Sequence, residues 1–228
     1  NGHAYIVITT YPEYGILEEG NTSNESIIPP YKEDGVEKKL ATPTQIGYLP
    51  PIDAQSFITV VSLDMGTHEV QKETVVGRAD QVYASQENLY LSAAQYKYGW
   101  GGGIMPLVRT IAPDGASVSD PTLPANQEID NQSKTLIYKF HLDKGGVSFE
   151  GRGSVPGHVL NQFSMDEVNN HFRIATTLDA QWDQFGKETR PQRNNVYVLD
   201  KEMTTIGSVT DLAPGERIYS ARFMGDRA

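Results

Sequence analysis

The chain contains no cysteine among its 228 residues, which excludes disulfide bonds and thiolate chemistry. It also contains no apolar run that approaches the roughly 20 residues needed to span a bilayer as a helix. No signal peptide is visible, and the chain opens at Asn1-Gly2-His3-Ala4 in the middle of a repeated pattern. Any targeting segment is therefore expected to lie upstream or to have been removed.

Basic residues are in the minority, with 19 Lys and Arg against 29 Asp and Glu, and the formal net charge is −10. A surface of this sign repels phosphate, which argues against nucleic acid and anionic membranes as partners. Cations and basic partners remain compatible with the charge.

Motifs of the common hydrolases and nucleotide-binding proteins are missing. The five histidines form no HExxH spacing, and Gly146-Val147-Ser148-Phe149-Glu150 fails the GxSxG pattern at its last position. The glycine-rich stretch at 99–103 lacks the Lys of a phosphate-binding loop. No stretch shows sustained helical periodicity, so the sequence predicts an all-β protein without a recognisable catalytic motif.

One pattern occurs three times along the chain. An apolar strand ends in Leu-Asp, a Gly follows at a turn about a dozen residues later, and an aromatic residue followed by small residues comes next. The strands are 57–64, 136–143 and 195–200, and the turn glycines are Gly77, Gly157 and Gly215. Four-stranded units in tandem are typical of a β-propeller, whose strands we label A (innermost) to D (outermost) in each blade.

The repeat predicts a single domain over 1–228 with about three four-stranded blades, in units at approximately 4–87, 88–170 and 171–228. Insertions at approximately 11–55, 97–133 and 180–193 each fall between strands B and C, so we expect them to gather on one face. The last strand A is predicted at 217–224. Because closed propellers have about 4–8 blades, we expect either a fragment of a longer propeller or a ring closed by a second copy through its exposed strand edges.

Residues 157–228 carry a family resemblance. They resemble bacterial and archaeal secreted proteins with a C-terminal β-propeller domain distantly related to WD40 repeats. The segments that carry the resemblance are Gly157-His158-Val159-Leu160-Asn161-Gln162-Phe163-Ser164, Asn195-Val196-Tyr197-Val198-Leu199-Asp200 and Ile218-Tyr219-Ser220-Ala221-Arg222-Phe223-Met224-Gly225-Asp226. The resemblance implies export or a cell-surface location and further blades. It implies no catalytic residues, so that a non-catalytic role is favoured while the question of an enzymatic activity stays open.

Aromatic residues in the insertions are the first candidate binding residues. Tyr98, Trp100 and Trp182 lie in the second and third insertions. One interpretation is that they belong to flexible loop tips, and the other is that they form a contact surface for a sugar or a partner protein. His158 lies on a turn predicted for the same face. These four residues are the predicted ligand-binding set.

Asp166 and Glu167 end a predicted innermost strand. One interpretation is a cation site near the central channel, for which oxygen ligands suit Ca²⁺. The other is a solvated hairpin end, because adjacent carboxylates on a strand point in opposite directions. No other cofactor is expected.

Three hypotheses about function follow. The first is a secreted or cell-surface, non-catalytic binding or scaffold module that uses the insertion face. The alternatives are a propeller-type hydrolase with an acidic, Ca²⁺-dependent site at the channel mouth, and a purely structural surface protein.

Overall fold

The computed structural model describes residues 2–12, 28–33, 35–48, 56–95, 133–183 and 185–225. Within them the regular structure is β-strand apart from two 3₁₀ turns, Pro43–Gln45 and Gln162–Ser164, which confirms the all-β prediction. None of the described helical segments is long and apolar enough to cross a membrane.

The first sheet has the strand order β1-β5-β6-β4. Its strands β1, β5 and β6 correspond to the predicted strands B, C and D and pair antiparallel in that order. The strands up to this point are β1 (His3–Thr10), β2 (Pro30–Glu33), β3 (Val36–Lys39), β4 (Ile46–Gly47), β5 (Phe57–Asp64) and β6 (Val70–Val76).

The first insertion is not the simple loop that its proline content predicts. Its described part forms the hairpin β2–β3 and the short strand β4, which pairs in parallel with β6. Ile28 and Leu40 pack against Phe57 and cover part of the first sheet. Apolar residues scattered among the prolines provide this packing, and a propensity argument alone misses it.

The second sheet has four strands in the order β10-β9-β8-β7, so that sequential strands A to D are spatial neighbours. Strands β8 and β9 are almost entirely buried because the sheet packs on both of its faces. The strands are β7 (Gln81–Ala84), β8 (Asn88–Gln95), β9 (Lys134–Asp143) and β10 (Gly146–Pro156).

The third sheet follows the same plan, with β12, β13, β16 and β17 in the positions of strands A to D and β11 as a second partner of β13. The third insertion forms the hairpin β14–β15. The strands are β11 (His158–Val159), β12 (Met165–Val168), β13 (His171–Leu178), β14 (Gln181–Trp182), β15 (Glu188–Arg190), β16 (Arg193–Leu199) and β17 (Thr205–Leu212).

Two predicted inner strands differ from the structure. The predicted innermost strand that ends at Asp166 and Glu167 is preceded by a 3₁₀ turn, because the Asn161 side chain accepts the Phe163 amide at 2.9 Å. The predicted strand at 217–224 is not a strand. A strand needs a hydrogen-bonding neighbour along its length, and within the described part of this segment only Met224 forms a β-bridge.

The core consists of two layers between consecutive sheets. Ile58 and Val60 of the first sheet pack against Leu91 and Phe140 of the second. The opposite face of the second sheet packs against the third sheet, where the rings of Tyr90 and Phe172 stack with centroids 4.3 Å apart.

Candidate functional site

The predicted turn glycines mark one common end of the three sheets. Each glycine amide donates to the backbone carbonyl that precedes strand C of its own sheet: Gly77 to Ser56 at 2.9 Å, Gly157 to Ser133 at 2.7 Å and Gly215 to Gln192 at 2.7 Å. After each insertion, strand C therefore begins at the end of its sheet that carries the glycine turn. We call it the insertion end.

A well-defined hairpin presents two aromatic side chains at the insertion end. The Asp183 carboxylate accepts the amides of Phe185 and Lys187, each at 2.9 Å, and the Gly186 amide donates to the Asp183 carbonyl at 3.0 Å. Trp182 is 61% exposed and Phe185 is 85% exposed. Aromatic side chains, and tryptophan above all, are enriched among the residues that dominate binding energy at interfaces, so this pair is a candidate contact surface.

His158 lies at the base of this hairpin. It is half-buried in β11 opposite Thr177, and its Nδ1 atom is 3.5 Å from a carboxylate oxygen of Asp179. Asp179 follows β13 and precedes Trp182 by three positions. The structure thus places His158 beside the third insertion, whereas Tyr98 and Trp100 lie outside the described residues.

Asp166 and Glu167 point to different partners. Asp166 forms an ion pair with Arg173, its cross-strand neighbour on β13. Glu167 accepts a hydrogen bond from Asn88 Nδ2 at 2.8 Å across the boundary between the second and third sheets. The two carboxylates do not converge, and the described residues hold no group of three or more His, Asp or Glu that could bind a metal ion. The Ca²⁺ site stays a prediction.

A cleft of about 740 Å³ separates the innermost strands β7 and β12. Its walls are Val82–Ala84, Asn161–Phe163, Met165, Asp166 and the segment 220–223. Arg173 joins that segment to the third sheet, because it donates to the Gly225 carbonyl at 2.7 Å and lies over the Phe223 ring at 5.0 Å. Asp166 therefore lines this cleft as the ion-pair partner of Arg173.

A polar network that the sequence analysis missed lies between the second and third sheets, at the end opposite to the insertions. Lys139 is buried and forms a 2.7 Å ion pair with Glu150, while the His141 Nδ1 atom is 3.4 Å from Asn88 Oδ1. These residues line a groove of about 470 Å³. A lysine within the apolar run of β9 is the only signal in the sequence, and its partners come from other strands.

Tyr90 connects this network to the core. Burial raises the pKa of its hydroxyl above the ordinary value, and the negative charge of the nearby Glu167 raises the pKa further. One Glu167 oxygen is buried, and no described group meets hydrogen-bond geometry with it. The hydrogen-bonded members of this network fix how the second and third sheets pack on each other.

Comparison with protein families gives one match that covers the whole chain. A family described as the beta propeller domain matches residues 1–228. The match agrees with the tandem sheets and with the order of strands A to D within them.

Two similar proteins are both uncharacterised and archaeal. One, from Methanocaldococcus jannaschii, is 47% identical over 95 residues, and another, from Archaeoglobus fulgidus, is 43% identical over 93 residues. Each alignment covers 41% of this chain but only 14% and 13% of the respective relative. The chain therefore aligns with a small part of much longer proteins, whose names indicate no activity.

Proposed function

Because this chain belongs to the beta propeller domain family, we propose that it is a non-catalytic binding module that recognises its ligand at the insertion end. The observation that carries the proposal is the β14–β15 hairpin of the third insertion, with Phe185 85% and Trp182 61% exposed. The sheets provide a rigid base for this hairpin, as scaffolds commonly do for binding loops.

Preorganisation supports a binding role for the hairpin. Four hydrogen bonds made by Asp183, including one from its own amide to the Lys187 carbonyl at 2.9 Å, fix the turn before any partner arrives. A partner that covers Phe185 and Trp182 then gains apolar burial without the entropic cost of ordering the loop. The hairpin is thus better suited to recognition than a loop that folds only on contact.

The chemistry of the site indicates the class of ligand. Exposed aromatic rings pack against the apolar face of a sugar or against apolar side chains of a protein. The net charge of −10 disfavours polyanions. We propose a carbohydrate or a protein as the ligand, at the cell surface or outside the cell, where the family resemblance of residues 157–228 locates such proteins.

Binding to a glycan array and to a peptide array tests the proposal. Hits are then titrated by tryptophan fluorescence, which is informative because both tryptophans of the chain, Trp100 and Trp182, lie in insertions. The double substitution Trp182→Ala with Phe185→Ala should weaken binding by about 30-fold or more, as expected for residues at the centre of an interface.

The matched control is Phe163→Ala, since Phe163 is 68% exposed but lies in the cleft between the inner strands. Binding should survive this change. The proposal fails if neither array shows a ligand, if the double variant binds as tightly as the parent, or if Phe163→Ala is equally damaging.

A further inference from the structure

Lys139 departs from the repeat at a buried position. Val60, Lys139 and Val196 each precede the strand-ending aspartate of their sheet by four residues. Val60 is 0% exposed against the second sheet, and Lys139 is 7% exposed on the face of the second sheet that meets the third. Burial removes water from an ammonium group, a cost that valine does not have. A residue that breaks a local rule in this way is expected at a functional site.

A β-bulge brings Glu150 to this lysine. Strand β10 pairs with β9 in regular register except between Phe149 and Gly151, so that Glu150 is the extra residue. In the first sheet, β5 and β6 keep one continuous register. Bulges re-aim side chains and are common next to active sites. Here the bulge accompanies a Glu150 carboxylate 2.7 Å from the Lys139 Nζ atom, a pair that has no equivalent in the first sheet.

The Lys139 ammonium keeps one hydrogen-bond donor unused. It has three N–H groups, and its acceptors are Glu150 and, at 3.4 Å, the Lys201 carbonyl. No third acceptor contacts it within the described residues. Because a buried donor without an acceptor is unfavourable, this N–H group is available to a ligand in the groove that Lys139 lines.

Two neighbouring side chains supply unused acceptors. Asn88 Nδ2 donates to Glu167, so that its Oδ1 atom accepts from His141 Nδ1 at 3.4 Å. The Nε2 atom of the neutral imidazole is then an acceptor. Like the second oxygen of Glu150, it has no hydrogen-bond partner in the part of the chain that the structure describes. His141, Glu150 and Lys139 line the same groove, which therefore offers a cationic donor and two acceptors.

Charges of both signs continue to the rim of this groove. Glu87 lies between β7 and β8, whereas Lys201 and Glu202 lie between β16 and β17, across the boundary between the sheets. An anion in the groove meets the carboxylates and a cation meets the lysines, but a ligand with both charges finds a partner for each. The volume of about 470 Å³ fits a small molecule, since such sites measure about 300–1,000 Å³.

We propose that the groove binds a small zwitterion of the α-amino-acid type. The ligand carboxylate accepts from the unused Lys139 donor and lies towards Lys201. The ligand ammonium donates to His141 Nε2 and to the second oxygen of Glu150. The second and third sheets alone build this site, at the end opposite to the insertions, so that no segment before β7 or after β17 is required.

Isothermal titration calorimetry with the standard free amino acids tests the proposal. At least one of them should bind. Its N-acetyl derivative, which lacks the ammonium, and its amide, which lacks the carboxylate, should each bind about 10-fold more weakly or worse, because each loses a charge-assisted hydrogen bond.

A double variant links the binding to the groove. Lys139→Val introduces the residue of the other two repeats, and Glu150→Gln removes the charge left without its partner. The double variant should unfold at the same or a higher urea concentration than the parent, because an apolar residue often replaces a buried ion pair without loss of stability. It should bind the amino acid about 100-fold more weakly or worse, because two charge-assisted contacts are lost.

The control is Lys144→Gln, since Lys144 is exposed in the turn after β9 and lies outside the groove. This variant should bind as the parent does. His141→Phe provides a second variant that keeps a ring but no acceptor, and it should weaken binding by about 10-fold even if the double variant does not fold. Circular dichroism confirms the fold of each protein that is titrated.

Three outcomes overturn the proposal. The first is that no standard amino acid binds the folded parent at millimolar concentration. The second is that the N-acetyl derivative and the amide bind as tightly as the free amino acid, which would show that the two charges are not recognised. The third is that His141→Phe or the folded double variant binds as tightly as the parent, which would place the ligand elsewhere on the molecule.

Discussion

Tyr90 shows how a single residue serves both the core and the polar network. Its side chain is 1% exposed, its ring stacks on Phe172, and its hydroxyl lies near Glu167. Burial and the carboxylate both raise the pKa of this hydroxyl from its ordinary value of 10.0. The folded protein therefore holds the proton of this hydroxyl more tightly than the unfolded chain does.

This difference predicts how Tyr90→Phe changes the pH dependence of stability. Because the pKa of Tyr90 is raised by folding, its hydroxyl stabilises the folded protein fully at pH values below the pKa of 10.0 in the unfolded chain. This stabilisation is lost as the pH rises towards and through the higher pKa of the folded protein. The free-energy difference between the parent and Tyr90→Phe, measured by urea unfolding, should be constant from pH 7 to 9 and should decrease above about pH 10. A difference that does not change up to pH 11 would contradict the assignment.

At the scale of the element, the turns between strands D and A allow a matched pair of substitutions. Gly157 and Gly215 have φ angles of +88° and +86°. A Cβ atom at Gly157 would lie 2.7 Å from the Thr177 carbonyl oxygen, whereas a Cβ atom at Gly215 meets nothing within 4 Å. Substitution by alanine is therefore strained by the positive φ at both positions, but it causes a steric clash only at Gly157.

We expect Gly215→Ala to lower the free energy of unfolding by about 1–2 kcal/mol, which is the cost of the left-handed conformation alone. Gly157→Ala should cost about 2–5 kcal/mol, because overpacking against the β13 backbone adds to that strain. Chemical denaturation of both variants measures the difference. Equal costs would show that the neighbourhood of Gly157 relaxes around the added methyl group.

The regular elements could be predicted from sequence because each has a local signal. Alternating apolar residues locate β1, β5, β8 and β13, and Asp64 and Asp200 form turns by accepting backbone amides, as their recurrence indicates. The 3₁₀ turn at Gln162–Ser164 and the irregular segment 217–224 could not be predicted. The first depends on a single side-chain cap and the second on a neighbouring strand, and neither leaves a periodic pattern.

At the scale of the whole molecule, the repeat predicted how the sheets follow one another but not the contacts between them. Lys139, Glu150 and Asn88 come from three strands, so that no spacing along the chain reveals their groove. Glu167 belongs to the same network, although the sequence suggested a metal ligand. His158 and Trp182 were predicted for one end because equivalent turns of a repeat must lie together, and the structure places both at the insertion end.

Residues at equivalent positions of the repeat should contribute different amounts to the free energy of unfolding, because a neighbouring sheet covers some of them and leaves others exposed. Ile174→Ala should cost about 2–5 kcal/mol, because it leaves a cavity between the second and third sheets. Ile6→Ala should cost about 1 kcal/mol in dilute solution, where half of the side chain already contacts water. The two substitutions should therefore differ in cost by about 1–4 kcal/mol, because only Ile174→Ala leaves a buried cavity. Urea denaturation of both variants measures the difference, and equal costs would contradict the assignment of Ile174 to the packed contact between the sheets.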